Sequence, residues 1–483
     1  MDVNSKTATR RSFLKGGALL AGGLAAAGPL QALLARSAEG AVTHIPFSPD
    51  YGPLSEVNDL ETGLPLIMLP KGFTYRSLGW AGDALANGTP TPGLHDGMGV
   101  VQQEGDDWAV LVRNHEVRSV GNSINSFAPA AITYDPKGGG GTTNLLVNLK
   151  TGRLKKAWAS IGGTNTNCAG GVTPWRSWIT CEETLVDTAN APLEKTHGWC
   201  YDVPAFDDAE PEPLLDMGRF VHEAVSVDPK TEIVYLSEDR GTAGLYRYSD
   251  DNLECRRRNR KGKKRKNSPL SGEGVLEMLK VKGVHQADLR GTSTAIAIGA
   301  EYDVEWVEIE DPHRAHFTGT DSLGCFKQGL ALGGATFTRL EGTWFGNKKL
   351  YFTSTDGGTV REGQVWEYDP QKERLTLIFS SPAEATLDNP DNITVTPRGG
   401  LILCEDGSLD GQRLQGLTLD GQIFEFARNN VVLNGERNSL TGDFRGIEWA
   451  GATFDWKGEW LFANIQTPGI TFAITGPWHK GSL

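Results

Sequence analysis

The chain has 483 residues and a formal net charge of −13, with 22% charged and 39% hydrophobic residues. These proportions are typical of a soluble globular protein, and the negative charge argues against nucleic acid or an anionic membrane as the main partner. The 60 glycines and 13 tryptophans indicate an all-β fold, in which Gly-rich turns separate many short aromatic strands.

Residues 1–40 are predicted to be a twin-arginine signal peptide. The motif Thr9–Lys15 contains Arg10 and Arg11 and precedes a weakly apolar stretch, Gly16–Leu34. Pro29 interrupts this stretch, which disfavours a permanent membrane anchor. We therefore expect the twin-arginine translocation machinery to export the protein, and the mature chain, 41–483, to work as one domain in the periplasm or outside the cell.

An internal repeat runs through the mature chain. Its first part is a strand that ends in acidic or amide residues, found at Trp178–Glu183, Val234–Asp239, Leu350–Asp356, Leu401–Asp406 and Trp460–Gln466. Its second part is a Gly followed by an aromatic strand, found at Gly198–Tyr201, Gly244–Tyr248, Gly363–Tyr368, Gly421–Phe426 and Gly469–Phe472. Units of three or four short strands separated by turns are typical of β-propeller blades.

Five such units follow Thr173, and Asp107–Leu154 supplies another, so the sequence predicts a six-bladed propeller with loop insertions. A long two-sheet sandwich is the alternative. The least regular stretch is Asp250–Gly333, which begins with the basic run Arg256–Lys266. We interpret the segment near 251–270 as a solvated insertion, or alternatively as an arm that attracts anions.

Acidic and amide residues recur at equivalent places in these units. They are Glu182-Glu183, Glu238-Asp239, Asp356, Glu405-Asp406 and Asn464, with a second set at Asn114–Glu116, His222-Glu223, Arg339 and Glu341, Asp388–Asn392, and Arg445 and Glu448. Because the inner strands of a propeller converge on its axis, these side chains are expected to lie close together. Bound cations would relieve their repulsion, since calcium accepts about six to eight oxygen ligands and a nearby thiolate favours a transition metal.

The most specific segment is Asn165–Glu183, which contains Cys168. It resembles the signature of the PhoX alkaline phosphatase family. Further similarities to that family occur along the chain at Arg113–Glu116, Gly218–Glu223, Glu238-Asp239 with Gly244–Tyr248, Thr338–Gly342, Asp388–Asn392 and Cys404–Gly407. Separate motifs in one order are stronger support than any single motif.

The resemblance implies an exported propeller phosphatase that hydrolyses small phosphate monoesters with ferric iron (Fe3+) and calcium (Ca2+) in one cluster. The metal ligands it implies are Cys168, Glu182, Glu183, Glu223, Glu238, Glu341, Asp388 and Asp406. It also implies that Arg339 and Asn114 contact the phosphate, and a guanidinium suits this role because it can donate two parallel hydrogen bonds. We expect a monomer.

Several alternatives stay open at this stage. A calcium-dependent propeller lactonase would also line its axis with acidic and amide residues, and a binding propeller would have no catalytic role. His115 and His222 either assist the site or bind backbone carbonyl groups. Cys181 is expected to be a small buried hydrophobic residue. The six cysteines are scattered, and their spacing does not define a pairing.

Overall fold

The computed structural model describes residues 44–118, 126–189, 191–250, 270, 274–313, 323–418 and 421–483. Within these ranges the chain is almost entirely β-strand, with one α-helix, α1 (Gly324–Ala331), and short 3-10 helices at Ala130–Ile132, Leu215–Met217 and Trp478–Lys480. The predicted all-β class is therefore confirmed. The predicted signal peptide and the basic run 256–266 lie outside the described residues. Among the helices that are described, none has the length and apolar character needed to span a membrane.

The strands follow one another closely along the chain. In order, they are β1 (His44–Ile45), β2 (Leu54–Val57), β3 (Ile67–Pro70), β4 (Thr74–Leu78), β5 (His95–Glu104), β6 (Trp108–His115), β7 (Gly140–Asn148), β8 (Arg153–Thr164), β9 (Asn167–Val172), β10 (Ser177–Glu182), β11 (Cys200–Pro204), β12 (His222–Val227), β13 (Val234–Glu238), β14 (Leu245–Asp250), β15 (Gly274–Val281), β16 (Glu301–Glu308), β17 (Leu340–Gly346), β18 (Lys349–Ser354), β19 (Gln364–Asp369), β20 (Arg374–Ser380), β21 (Pro390–Val395), β22 (Leu401–Glu405), β23 (Arg413–Leu417), β24 (Ile423–Asn429), β25 (Val432–Asn434), β26 (Thr441–Asp443), β27 (Trp449–Phe454), β28 (Trp460–Ile465) and β29 (Ile470–Thr475).

Most of these strands form antiparallel meanders, in which each strand pairs with the next along the chain. The meanders are β5–β8, β9–β11, β12–β15, β17–β20, β21–β24 and β27–β29. The N-terminal strands β1–β3 extend the sheet beside β24, and β25 and β26 form a separate hairpin. Apolar side chains fill the spaces between neighbouring meanders. For example, Phe424 of β24 is fully buried in the same cluster as Trp449 and Phe472 of the next meander.

The first strand of each meander contributes to a closed ring. The strands β5, β9, β12, β17, β21 and β27 contact one another in this order, and β27 also contacts β5. Glycine permits the close approach of these strands. A Cβ atom on Gly97 would lie 2.5 Å from the Ala169 Cα atom, and one on Gly171 would lie 1.9 Å from the Val225 carbonyl oxygen. Larger side chains at these positions would force the strands apart.

The N-terminal part of the chain completes the last meander. Strand β4 pairs with β29, with Thr74 opposite Thr475. This closure and the ring establish the predicted β-propeller and exclude the two-sheet sandwich. The count of six blades stays a prediction, because pairing of β16 with β20 merges two meanders into a nine-stranded sheet.

Candidate metal centre

The six first strands share an irregularity at the same place. In each one the register against the second strand shifts, so that two of its residues form a bulge. A bulge changes the direction in which a side chain points. The first residues of these bulges are Asp96, Cys168, Glu223, Glu341, Asp391 and Gly451. Five of these six are residue types that bind metals, and all five are buried.

The ends of the second strands supply further acidic residues. The residues paired just before each bulge include Glu182 opposite Asn167 and Glu238 opposite His222. In four meanders, the residue that follows this pair on the second strand is also acidic. These four residues are Glu116, Glu183, Asp239 and Asp406. Successive residues of an extended chain point to opposite faces, so adjacent acidic residues have different surroundings.

Seven acidic residues and one cysteine converge into three groups. The groups are Cys168 with Glu183 and Glu223, Asp96 with Glu116 and Glu448, and Glu223 with Glu341 and Asp391. Within each group, one potential ligand atom from every residue lies within 4.8 Å of the others. Glu223 belongs to two groups and therefore joins them. The first strands thus bring metal-binding residue types from five meanders into one cluster.

The electrostatics of this cluster favour bound cations. Burial, and then the neighbouring carboxylates, raises the pKa of Asp96, Glu223 and Glu341 well above the usual range, and burial with Asp406 raises the pKa of Asp391 to about 8. Among the described residues, Oδ1 of Asp96 and Oδ1 of Asp391 have no hydrogen-bond partner. Unpartnered buried carboxylate oxygens are costly, and a cation would stabilise their charged form. The donor set therefore fits metal ions.

Three of the predicted ligands lie outside the three groups and already have hydrogen-bond partners. The oxygens of Glu182 accept bonds from the backbone amides of residues 165, 198 and 199 and contact the His197 ring nitrogen Nδ1 at 2.6 Å. Glu238 Oε2 accepts bonds from the Gly244 amide and the Tyr246 hydroxyl.

Asp388 is the third of these residues. Its Oδ2 accepts a bond from the Leu409 amide at 2.9 Å, and its place in the cluster is taken by Asp391. Asp406 is exposed and lies beside Glu448, outside the three groups. Of the eight predicted ligands, Cys168, Glu183, Glu223 and Glu341 are brought together.

Arg339 lies at the edge of the cluster. Its Nε is 3.0 Å from Asp239 Oδ1 and its Nη2 is 2.6 Å from Glu341 Oε1. The backbone φ of Arg339 is +40°, a conformation uncommon for residues other than glycine. The side chain is 42% exposed, so a guanidinium group adjoins both the third group and solvent. The predicted phosphate contact of Arg339 stays a prediction.

Asn114 has a different role from the one predicted. Its Nδ2 donates to the carbonyl oxygens of Cys168 and Ala169, at 3.1 and 2.6 Å. Its Oδ1 accepts from Trp178 Nε1 and Thr180 Oγ1, both at 3.0 Å. These four bonds use the full capacity of the amide. Asn114 therefore holds the β9 segment that carries Cys168, and it does not face the cluster.

A second arginine, Arg118, also lies at the edge of the cluster. Its Nη2 is 2.8 Å from Glu116 Oε1 and 3.8 Å from Glu183 Oε2, and its side chain is 65% exposed. The Gln466 amide donates to the other oxygen of Glu116 at 2.8 Å. Glu116 is thus oriented by two polar neighbours.

The histidines and the second cysteine of the signature have structural surroundings. The His115 ring contacts the Gly93 carbonyl and the Thr143 hydroxyl, and His222 Nε2 contacts the Gly218 carbonyl at 2.9 Å. This agrees with the interpretation that backbone carbonyl groups bind them. Cys181 is fully buried, with its Sγ 3.7 Å from Cys200 Sγ. The five cysteines in the described ranges are free thiols.

Sequence reasoning missed Asp96 entirely and did not select Glu116, Asp391 or Glu448 from the motifs that contain them. A signal for the first-strand ligands does exist in the sequence. A residue of a type that can bind metals precedes a small residue near the start of four inner strands, at Asp96-Gly97, Cys168-Ala169, Glu223-Ala224 and Glu341-Gly342. The small residue allows the neighbouring inner strand to approach closely.

Comparison with curated proteins found no significant sequence match. Among solved structures, similar chains include a structural genomics protein of unknown function from Bacteroides thetaiotaomicron, with 11% identity over 84% of this chain and 78% of that chain and a TM-score of 0.38. The gluconolactonase XC5397 from Xanthomonas campestris has 13% identity over 83% of this chain and 100% of its own, with a TM-score of 0.31. The Cps50 (Swd1) β-propeller domain from Myceliophteria thermophila has 10% identity over 78% of this chain and 84% of its own, with a TM-score of 0.32.

These structural similarities are too weak to carry a functional argument. The match to a protein family is a match of sequence and covers nearly the whole chain. The family model of alkaline phosphatase PhoX matches residues 49–469. The match spans the first five meanders, strands β27 and β28 of the sixth, and every residue of the three groups. The chain therefore belongs to the alkaline phosphatase PhoX family.

Proposed function

We propose that this protein is an exported, metal-dependent phosphatase that hydrolyses small phosphate monoesters at the centre of the propeller. The observation that carries the proposal is the set of three neighbouring groups, formed by buried and half-buried carboxylates and one thiol, with an exposed guanidinium beside them. Family membership supports the same activity.

The residues of the groups suggest how two kinds of metal would be held. Cys168 with Glu183 and Glu223 combines a thiol with carboxylates, which suits ferric iron. The other two groups offer oxygen atoms only, which suits calcium. We leave Glu182, Glu238 and Asp388 out of this ligand set because they lie outside the three groups. Both oxygens of Glu182, and one oxygen each of Glu238 and Asp388, accept hydrogen bonds from the protein. When bound, the cations would act as Lewis acids toward the phosphoryl oxygens.

The side chains around the cluster would position the substrate. Arg339 is held by Asp239 and Glu341, so its guanidinium plane is oriented before substrate arrives. Nε and Nη2 already donate to these carboxylates, so Nη1 is the amino group that would donate to a phosphoryl oxygen. Such bonds would stabilise the negative charge of the phosphoryl group and fix its orientation while the alcohol leaves. Asn114 supports the centre from behind, through its bonds to the Cys168 and Ala169 carbonyl oxygens.

The remaining parts of the proposal come from the sequence. The signal peptide would direct the folded protein through the twin-arginine machinery to the periplasm or the medium. The expected substrates are small phosphorylated molecules rather than nucleic acid, and we propose a monomer.

The test combines metal analysis with an activity assay on purified mature protein. We expect both iron and calcium, and hydrolysis of p-nitrophenyl phosphate that a chelator abolishes. Calcium alone, with lactone hydrolysis and no phosphatase activity, would favour the lactonase alternative. Protein with neither metal nor activity would favour a binding propeller.

A further inference from the structure

We infer that Arg118 is a second substrate-binding arginine, which binds the phosphoryl group together with Arg339. This inference rests on the proposed phosphatase function and names a residue that the family motifs did not single out. It concerns a side chain at the edge of the cluster, just beyond the end of β6.

The contacts of Arg118 connect two of the three groups. Its Nη2 contacts Glu116, which belongs with Asp96 and Glu448, and lies 3.8 Å from Glu183, which belongs with Cys168 and Glu223. Arg339 contacts Glu341 of the third group. The two guanidinium groups together therefore adjoin every group of the proposed metal centre.

The two arginines are linked by a continuous line of polar contacts. Glu183 lies beside Asp239, and Asp239 in turn contacts Arg339. Arg118 lies at one end of this line and Arg339 at the other. Their side chains are 65% and 42% exposed, whereas Glu183 is half-buried and Glu223 and Glu341 are buried. Cationic donors thus face solvent in front of buried acidic residues.

This arrangement suits a phosphate dianion that has to approach a centre rich in carboxylates. Each guanidinium carries several N–H donors in a planar fork, so it can keep one bond to a carboxylate while it donates another to a phosphoryl oxygen. Contacts at the edge of the cluster form in the bound substrate as well as in the transition state. Loss of such a contact raises KM more than it lowers kcat.

The experiment compares wild-type protein with Arg118→Ala, Arg118→Lys and the control Arg361→Ala. Arg361 is 62% exposed and pairs with Asp356, which belongs to none of the three groups. The measurements are KM and kcat for p-nitrophenyl phosphate, the Kd of inorganic phosphate by calorimetry, and the iron and calcium content.

We expect Arg118→Ala to raise KM and the phosphate Kd at least about tenfold and to lower kcat by less than about threefold, with normal metal content. Lysine should restore part of the affinity, because it keeps the charge but not the fork. The Arg361→Ala variant should match wild type.

Two results would overturn the inference. One is a KM and phosphate Kd for Arg118→Ala within about twofold of wild type. The other is loss of metal in parallel with activity, which would show that Arg118 only positions Glu116 and Glu183. Wild-type protein without phosphatase activity would reject the proposed function instead. In that protein, phosphate binding that depends on Arg118 would still support the anion site, and absence of binding would reject both.

Discussion

Glu182 and Glu183 are adjacent in sequence but have different surroundings, so replacing each with glutamine separates folding from metal binding. Glu182 accepts four hydrogen bonds, two on each carboxylate oxygen. Glutamine has one acceptor oxygen, so two of the four donors would lose their partner. A buried unpartnered donor costs about 1–3 kcal/mol, which gives a destabilisation of about 2–6 kcal/mol.

The expected change in Tm follows from the size of the protein. The entropy of unfolding is about 2.1 cal/mol/K per residue, or roughly 0.9 kcal/mol/K for about 440 residues. Glu182→Gln should therefore lower Tm by roughly 2–6 °C. Below that temperature it should keep its metals and its activity.

Glu183→Gln should have the opposite effects. Burial, followed by Glu116 and Asp239, raises the pKa of Glu183, so its charge is unfavourable unless a cation is bound. The amide keeps the shape but is a poorer ligand. We expect loss of iron, and a fall in kcat/KM for p-nitrophenyl phosphate of at least about a hundredfold, or about 2.7 kcal/mol. The metal-free variant should be at least as stable as metal-free wild type.

The assays are metal analysis, steady-state kinetics and thermal unfolding with and without chelator. The reasoning would be refuted if Glu182→Gln lost iron at a normal Tm. It would also be refuted if Glu183→Gln kept both its iron and its activity.

Three further changes test other parts of the account. Replacement of Arg10 and Arg11 with lysine should leave the protein in the cytoplasm, and normal export would reject the signal peptide. Arg339→Ala should lower kcat/KM at least about a hundredfold with unchanged metal content, and near-normal activity would remove Arg339 from the site. Burial lowers the pKa of His197, but the two carboxylates beside it outweigh this and raise the pKa to about 9. Protonated His197 therefore stabilises the folded protein. This contribution to the free energy of unfolding is complete below the unfolded-state pKa of about 6.5 and is lost as the pH rises through 9. Tm should therefore fall more in wild type than in His197→Gln between about pH 6.5 and 9.5, and parallel curves would contradict this.

The fold could be predicted because its repeat is local. In four of the five repeats, the strand that ends in acidic or amide residues and the aromatic strand after the Gly are the second and third strands of a meander. In the repeat that begins at Leu401, the aromatic strand is the fourth strand, β24. The structure also explains why the acidic residue and the Gly recur together. Glu238 accepts a hydrogen bond from the Gly244 backbone amide, and Glu182 accepts one from the Gly198 backbone amide. Much of the repeat that predicted the propeller is therefore a structural motif.

The site was predicted less completely, for the same reason. The repeated glutamates Glu182 and Glu238 stabilise the meanders, and the residues after them, Glu183 and Asp239, lie toward the cluster. A shift of one residue along a strand reverses the face, and sequence alone does not show which of two adjacent acidic residues faces the axis. The bulge that directs Asp96 inward is a property of strand pairing, which the sequence does not reveal directly.

The central claim is that Cys168 binds iron within this cluster, and its most direct test compares Cys168→Ser with Cys181→Ser. Cys168 lies in a group with Glu183 and Glu223, whereas Cys181 is fully buried and its nearest polar partner is the Cys200 sulfur. A thiolate bound to ferric iron should give a visible charge-transfer band, so wild-type protein should be coloured. We expect Cys168→Ser to remain folded while losing colour, iron and phosphatase activity together, and Cys181→Ser to keep all three. Full iron and activity in Cys168→Ser, or their loss only in Cys181→Ser, would contradict the account.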